Sequence, residues 1–231
     1  MSIRALKFWI ATFIVAVFFL GCSQEQGAKY TLNDISAPEY MLQGGKDHFA
    51  LRLPQVEQQP ILSGGVLLAG DSITEGWLGY DIDLGAQVSN HGIGWDTVTG
   101  LKSRLPQMLR HSPDKVFILI GTNDIGYGRD VGEMAAELAV ILDTFKREKP
   151  DTKLYVQSVM PREAENMTAV NRINTAYKAL AEVKGVTFID LAPSFAAADG
   201  TLKPDLTYDG LHLKLEGYHA WSEILKSHIA N

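Results

Sequence analysis

Apolar runs that alternate with segments of helical period predict an α/β domain, a parallel sheet with helices on both faces. Two features carry that expectation. The runs at residues 66–69, 116–120, 154–156 and 186–189 are continuous rather than alternating, as strands covered on both faces require. The stretches between and after them place apolar residues three and four apart, the spacing of a helix face turned towards a core.

Taken in order, the first strand is Val66-Leu67-Leu68-Ala69, and a second lies around residues 87–90. Val98, Leu101, Leu105 and Met108 then form one helical stripe, and Pro113 stops it before the third strand at 116–120. Val131, Met134, Leu138, Ile141 and Phe145 form the next stripe, closed by Pro150 ahead of the fourth strand at 154–156. Val170, Ile173, Tyr177 and Leu180 lead to the fifth strand at 186–189, and Leu215, Tyr218, Trp221 and Leu225 make the last helix. Proline just past a helix end can only stop it.

The chain has 231 residues, 46% hydrophobic and 21% charged, the balance of one ordinary globular domain. Its single cysteine, Cys22, excludes an internal disulfide and a cysteine-based zinc site. With 21 Lys and Arg against 27 Asp and Glu, and no basic run, nucleic acid is not an expected partner.

The N-terminus reads as a separate object. Arg4 and Lys7 precede an uncharged apolar run at residues 8–20, which as helix would rise only ~20 Å against a bilayer core of ~30 Å. A charged start followed by a short apolar stretch is the pattern of a secretory signal. The run closes on Phe19-Leu20-Gly21-Cys22, which resembles a bacterial lipoprotein cleavage box, with phenylalanine where leucine is usual. That resemblance implies removal of residues 1–21, lipid on Cys22, a mature charge of about −8, and a domain held at a membrane outside the cytoplasm. The competing reading is an uncleaved anchor. Residues 22–45 are polar and aperiodic, a tether, and the domain is expected over 46–231.

In a parallel sheet, ligands bind beyond the carboxyl ends of the strands. The first strand runs into Gly70-Asp71-Ser72-Ile73-Thr74-Glu75, where a serine on a sharp turn can present its hydroxyl above the sheet. The competitor is a capping box, which Ser72 to Glu75 also satisfies. The second strand empties into His91-Gly92-Ile93-Gly94-Trp95 and the third into Gly121-Thr122-Asn123-Asp124. A glycine N–H and an asparagine amide are the donor types that hold an oxyanion, although the same residues are common in plain turns. Near the C-terminus, Asp209-Gly210-Leu211-His212 lets a carboxylate reach the ring Nδ1–H and leave Nε2 as a base.

Together these blocks resemble the GDSL, or SGNH, hydrolases, whose signatures are Gly-Asp-Ser, a glycine in Asn-x-Gly-Ile, Gly-x-Asn-Asp and Asp-x-x-His. Here they are Gly70-Asp71-Ser72, Asn90-His91-Gly92-Ile93, Gly121-Thr122-Asn123-Asp124 and Asp209-Gly210-Leu211-His212. The resemblance covers residues 66 to the C-terminus and implies a flavodoxin-like three-layer α/β/α fold. It also implies that Ser72 is the nucleophile, His212 the base and then acid, and Asp209 the orienting carboxylate. Gly92 N–H, Asn123 and the Ser72 N–H would form the oxyanion hole, while Asp71 and Asp124 hold their loops. Two departures stand out: Trp95 occupies the usual place of a second glycine, and Lys214 the usual place of a capping asparagine.

The expected activity is hydrolysis of a carboxylic ester through an acyl-enzyme, with no cofactor or metal. The substrate would be a small-molecule, sugar or lipid ester such as a lysophospholipid, and Trp77 and Trp95 would border its pocket, favouring short acyl groups. Two other classes compete. One is a carbohydrate O-acetyltransferase or silent binding module on the same fold. The other is a metal-dependent phosphoesterase using Asp71, Asn123, Asp124, Asp209 and His212.

Overall fold

The computed structural model describes residues 35–230. Cys22, the apolar run before it and most of the expected tether lie outside the described residues. The elements, in order, are α1 (Gln43–Glu57), β1 (Val66–Gly70), α2 (Ser72–Glu75), β2 (Val88–Gly92), α3 (Val98–Ser103), α4 (Leu105–Met108) and β3 (Lys115–Leu119). They continue with α5 (Thr122–Gly126), α6 (Val131–Glu148), β4 (Lys153–Gln157), α7 (Met167–Lys184), β5 (Thr187–Ile189), α8 (Ala192–Phe195) and α9 (Leu215–Ile229).

All five expected strands are present and pair in parallel in the order β2-β1-β3-β4-β5. That is the flavodoxin-like order, in which a crevice opens where the chain reverses direction at β1. Successive side chains of each strand point to opposite faces, and both faces are covered. Leu67, Ala69, Val116, Ile118, Leu154 and Val156 pack with Val98 and Leu101 of α3, Leu138 and Ile141 of α6, and Ile173 and Tyr177 of α7. Val66, Leu68, Phe117, Leu119 and Tyr155 pack on the other side with Ile73, Phe195, Tyr218, Trp221 and Leu225. Two apolar layers enclosing one sheet explain why the strands read as unbroken apolar runs.

The expectations for the helices and for the start of the domain need three corrections. The stripe from Val98 to Met108 is not one helix: it breaks at Arg104 (φ −97°, ψ 15°), and α4 restarts with Pro106 in its first turn. Proline has no N–H to continue the preceding ladder, but is tolerated where a helix begins. The helix α1 was not expected at all. Its buried positions are Gly45, Phe49, Arg52 and Val56, a helical stripe in which a glycine and an arginine stand where apolar residues would have announced it. The domain also starts earlier than residue 46, because Met41 is buried and the Tyr40 hydroxyl lies 2.8 Å from Thr97 Oγ1.

Candidate active site

Three strand ends and one C-terminal loop converge on the crevice. Gly70 closes β1, and a Cβ there would meet Thr74 Oγ1 and the Leu119 carbonyl, so only glycine lets the chain turn. Asp71 then caps α2, its Oδ1 accepting from the Ile73 N–H at 3.0 Å. This settles the competition at Ser72. The cap is Asp71 rather than Ser72, and the serine hydroxyl is left for another partner.

That partner is His212, whose Nε2 lies 3.1 Å from Ser72 Oγ. The ring is oriented from behind by Asp209 Oδ2, 2.8 Å from Nδ1. The second Asp209 oxygen accepts the amides of Leu211 and His212 at 3.0 and 2.8 Å, and Gly210, at φ 83°, supplies the turn. Partial burial pushes the Asp209 carboxyl up, but the His212 ring and amide and the Leu211 amide outweigh it and bring it down to about 2. A charged carboxylate can only accept, so Nδ1 carries the proton and Nε2 accepts the Ser72 O–H. Serine, imidazole and carboxylate thus form one line of hydrogen bonds.

The expected anion donors fare differently. Ser72 N–H sits at the first position of α2, where a helix has no acceptor for it. Asn123 Nδ2 gives one hydrogen to the Asp96 carbonyl at 2.9 Å and keeps the other. Gly92 N–H is not available, because it donates to the Asn90 side chain at 2.8 Å. What requires a glycine at 92 is space: a Cβ there would meet the backbone of Thr74 and Glu75.

What sequence reasoning missed is a backbone donor one turn further on, at Trp95, a residue expected only as a pocket wall. The Asp96 N–H donates to the Ile93 carbonyl at 3.2 Å, closing a four-residue turn. Trp95, its third residue, has φ 66° and is the sole non-glycine residue with positive φ among those described. This is the type II pattern, which calls for glycine at that place, and an L-residue there costs about 1–2 kcal/mol. The Trp95 N–H has no acceptor among the described residues, and the turn is joined to Asn123 through Asp96. Tryptophan in place of the usual glycine was the available signal: a glycine kept for its φ marks a backbone position, whatever side chain replaces it.

The two pocket tryptophans part company. Trp77 is only 6% exposed, its ring edge-on to Trp221 at 4.9 Å and Tyr218 at 5.7 Å, so its indole belongs to the core and not to a cleft wall. Trp95 is 48% exposed, which also rules out a core role.

Beneath the crevice lie three carboxylates, Asp71, Asp96 and Asp124. Asp96 forms a fully buried pair with Arg104 at 2.8 Å, and Arg104 also donates to the Gly70 carbonyl at 2.9 Å. Asp124 accepts the Val98 N–H at 3.2 Å, so Asp71 holds its own turn while Asp124 ties the segment after β3 to the start of α3. Among the described residues no three His, Cys, Asp or Glu side chains converge as an ion would need. Burial, reinforced by Asp96 and Asp124, raises the Asp71 carboxyl to about 7. A group raised on folding stabilises fully below its unfolded value near 4, and that contribution is lost as the pH climbs through about 7. Asp71→Asn keeps the Ile73 bond and removes this loss. It should therefore melt several degrees above wild type at about pH 8, with a smaller difference at about pH 5, in paired thermal scans.

A parallel sheet that brings serine, histidine and a carboxylate into line at its strand ends defines a hydrolase-type α/β protein. The family model for the GDSL-like lipase/acylhydrolase family matches residues 68–220, and the chain belongs to that family. Over 137 residues it is 29% identical to a Bos taurus protein named platelet-activating factor acetylhydrolase IB subunit alpha1. That match covers 56% of this chain and 57% of the relative, so the chain spans little more than half the relative's length. Among solved structures, a GDSL-like lipase from Bacteroides thetaiotaomicron superposes with a TM-score of 0.69 at 21% identity, covering 79% of this chain and 97% of that one. A Streptococcus pneumonia protein, provisionally described as a platelet activating factor, gives 0.68 at 28% identity, covering 80% and 93%.

Proposed function

We propose that this protein is a carboxylic ester hydrolase that works through an acyl-enzyme on Ser72. The observation that carries the proposal is the line from Ser72 Oγ to His212 Nε2 and from Nδ1 to Asp209, at 3.1 and 2.8 Å. As Ser72 Oγ attacks the acyl carbonyl, its proton passes to Nε2, and the imidazolium that forms faces the Asp209 carboxylate. The same proton then goes to the leaving alkoxide. Water enters, gives a proton to Nε2, attacks the acyl carbon, and the acid departs as Ser72 regains its hydrogen. Negative charge on the tetrahedral oxygen is met by the Ser72 N–H, the free Asn123 hydrogen and the Trp95 N–H, which takes the place first expected of Gly92.

The acyl group is short. The curated relative is named an acetylhydrolase, and the Trp95 indole stands on the turn proposed to supply the third donor, where it would take up room beside the acyl carbon. Longer chains gain about 0.8 kcal/mol per methylene only where they find apolar space. The ester is that of a small molecule, a sugar or a lipid, and the proposed setting is the periplasmic or outer face of a bacterial cell envelope with lipid on Cys22, which the lipoprotein-like box at residues 19–22 supports.

The test is kcat/KM on p-nitrophenyl esters from acetyl to palmitoyl, in EDTA because no step uses a metal. A maximum at acetyl to butyryl is expected, moving to longer chains in Trp95→Gly. A wild-type maximum at ten carbons or more overturns the short-acyl assignment, and no ester turnover at all overturns the hydrolase.

A further inference from the structure

The helix α1 lies outside the family-matched region, which begins at residue 68, yet one of its faces is laid along the turn that carries Trp95. Gly45, His48 and Arg52 are spaced three and four apart, which puts them on a single face. Each touches a different part of the turn and its approach. A Cβ on Gly45 would stand 3.1 Å from Trp95 Cβ. His48 Nε2 lies 2.8 Å from Glu75 Oε2 and 2.9 Å from where a Gly94 Cβ would be. Arg52 Nε donates to the Gly92 carbonyl at 3.3 Å and stands 3.5 Å from Glu75 Oε1. Phe49 and Val56, which share the buried side of α1 with Gly45 and Arg52, seal the contact by packing on Ile93.

Glu75 is the centre of this arrangement. It is the last residue of α2, three after Ser72, and its Oε2 accepts both the His48 ring nitrogen and the Gly94 N–H, the latter at 2.5 Å. The turn is thereby held throughout: Ile93 N–H on the Gly70 carbonyl, Gly94 N–H on Glu75, Asp96 N–H on Ile93 and the Asp96 carbonyl on Asn123. Among the described residues, only the Trp95 N–H of this turn lacks an acceptor. A tryptophan at positive φ persists when its surroundings over-determine it, and α1 with Glu75 provides that restraint.

We propose that α1 is a clamp on the oxyanion turn, and that His48 and Glu75 are positioning residues that aim the Trp95 N–H at the tetrahedral oxygen. The inference rests on the ester-hydrolase reading above. It gives the helix a purpose in the reaction although no residue of α1 touches the reacting atoms. Its consequence is selective: loosening the clamp weakens binding of the tetrahedral state and leaves ground-state binding alone.

The experiment compares His48→Ala, Glu75→Ala and the conservative His48→Gln and Glu75→Gln in the full chain, with Ser72→Ala as control. The readouts are kcat and KM for p-nitrophenyl acetate, and affinity for a trifluoromethyl ketone, which forms a tetrahedral adduct on the serine. His48 is 36% exposed, so its alanine variant is expected to fold, and a melting scan verifies this. Each alanine variant should lose about tenfold or more in kcat with KM within about twofold, as displaced catalytic groups do. Ketone affinity should fall in proportion, and glutamine, which keeps a hydrogen-bonding group, should restore most of both. If folded His48→Ala and Glu75→Ala keep wild-type kcat and ketone affinity while Ser72→Ala is inactive, the clamp is overturned and the hydrolase stands. The clamp is equally overturned if KM rises with kcat unchanged. Full activity in Ser72→Ala removes the hydrolase reading and the clamp with it.

Discussion

Ser72→Ala should lower kcat for p-nitrophenyl acetate by about a million-fold, the scale on which removing the nucleophile of a serine–histidine pair acts, while the fold is unchanged. The fold is spared because, among the described residues, the Ser72 side chain holds no backbone group. Asp71, not Ser72, caps α2, and the serine side chain is engaged with His212. Alanine is also a good helix former at a helix start, so a matching melting temperature is expected. Steady-state assays on freshly purified variant, with the trace of wild-type contamination bounded by active-site titration, measure the ratio. A folded Ser72→Ala variant that retains a tenth or more of wild-type turnover is incompatible with an acyl-enzyme on this residue.

The second large effect is at Asp209. Asn at this position should cost about 10⁴-fold in kcat. One carboxylate oxygen accepts two backbone amides and the other accepts the ring Nδ1–H. An asparagine has a single acceptor oxygen, so it cannot satisfy both sides. If its oxygen stays with the amides, its NH₂ faces Nδ1, the ring adopts the other tautomer, and Nε2 then bears a proton and cannot take one from Ser72. If the amide turns round, its NH₂ meets two N–H groups and the loop shifts. Because Asp209 is brought down to about 2 in the wild type, its charge is constant across any practical assay, and the deficit should appear at every pH measured. Activity within tenfold of wild type would remove Asp209 from the relay.

The sheet was readable in the sequence because burial on both faces leaves an unmistakable run of apolar residues, and the residues that line up in the crevice were readable because each lies in a short, rigid spacing, Ser72 and Asn123 beside strand ends and Asp209 and His212 in one C-terminal loop. What stayed hidden has a common physical cause: it depends on contacts between distant segments. α1 shows no apolar stripe, since its inward face carries Gly45 and Arg52 where close approach and a hydrogen bond are needed, and Pro54 inside it argues against a helix. Gly92 is expected as a donor because it fills the glycine position of the Asn-x-Gly-Ile block, but the Asn90 amide oxygen two residues back occupies its N–H. Trp77 looked like a cleft residue by proximity to Ser72, while Trp221 and Tyr218, far along the chain, draw its ring into the core. Pro106 carries the signal for the break at Arg104, since proline cannot continue a helix but can begin one.

The most direct measurement is the site of covalent modification by a fluorophosphonate, read by peptide mass spectrometry on the folded protein. Such a probe reacts quickly only with a hydroxyl that has a base at hand and donors for the developing anion. The expected result is one adduct, on the peptide containing Ser72, formed rapidly in the wild type, slowed by about a hundredfold when Asn123→Ala removes one donor, and absent from Ser72→Ala. An adduct on any other residue, or equal labelling of a folded Ser72→Ala variant, would contradict the assignment of Ser72 as the nucleophile.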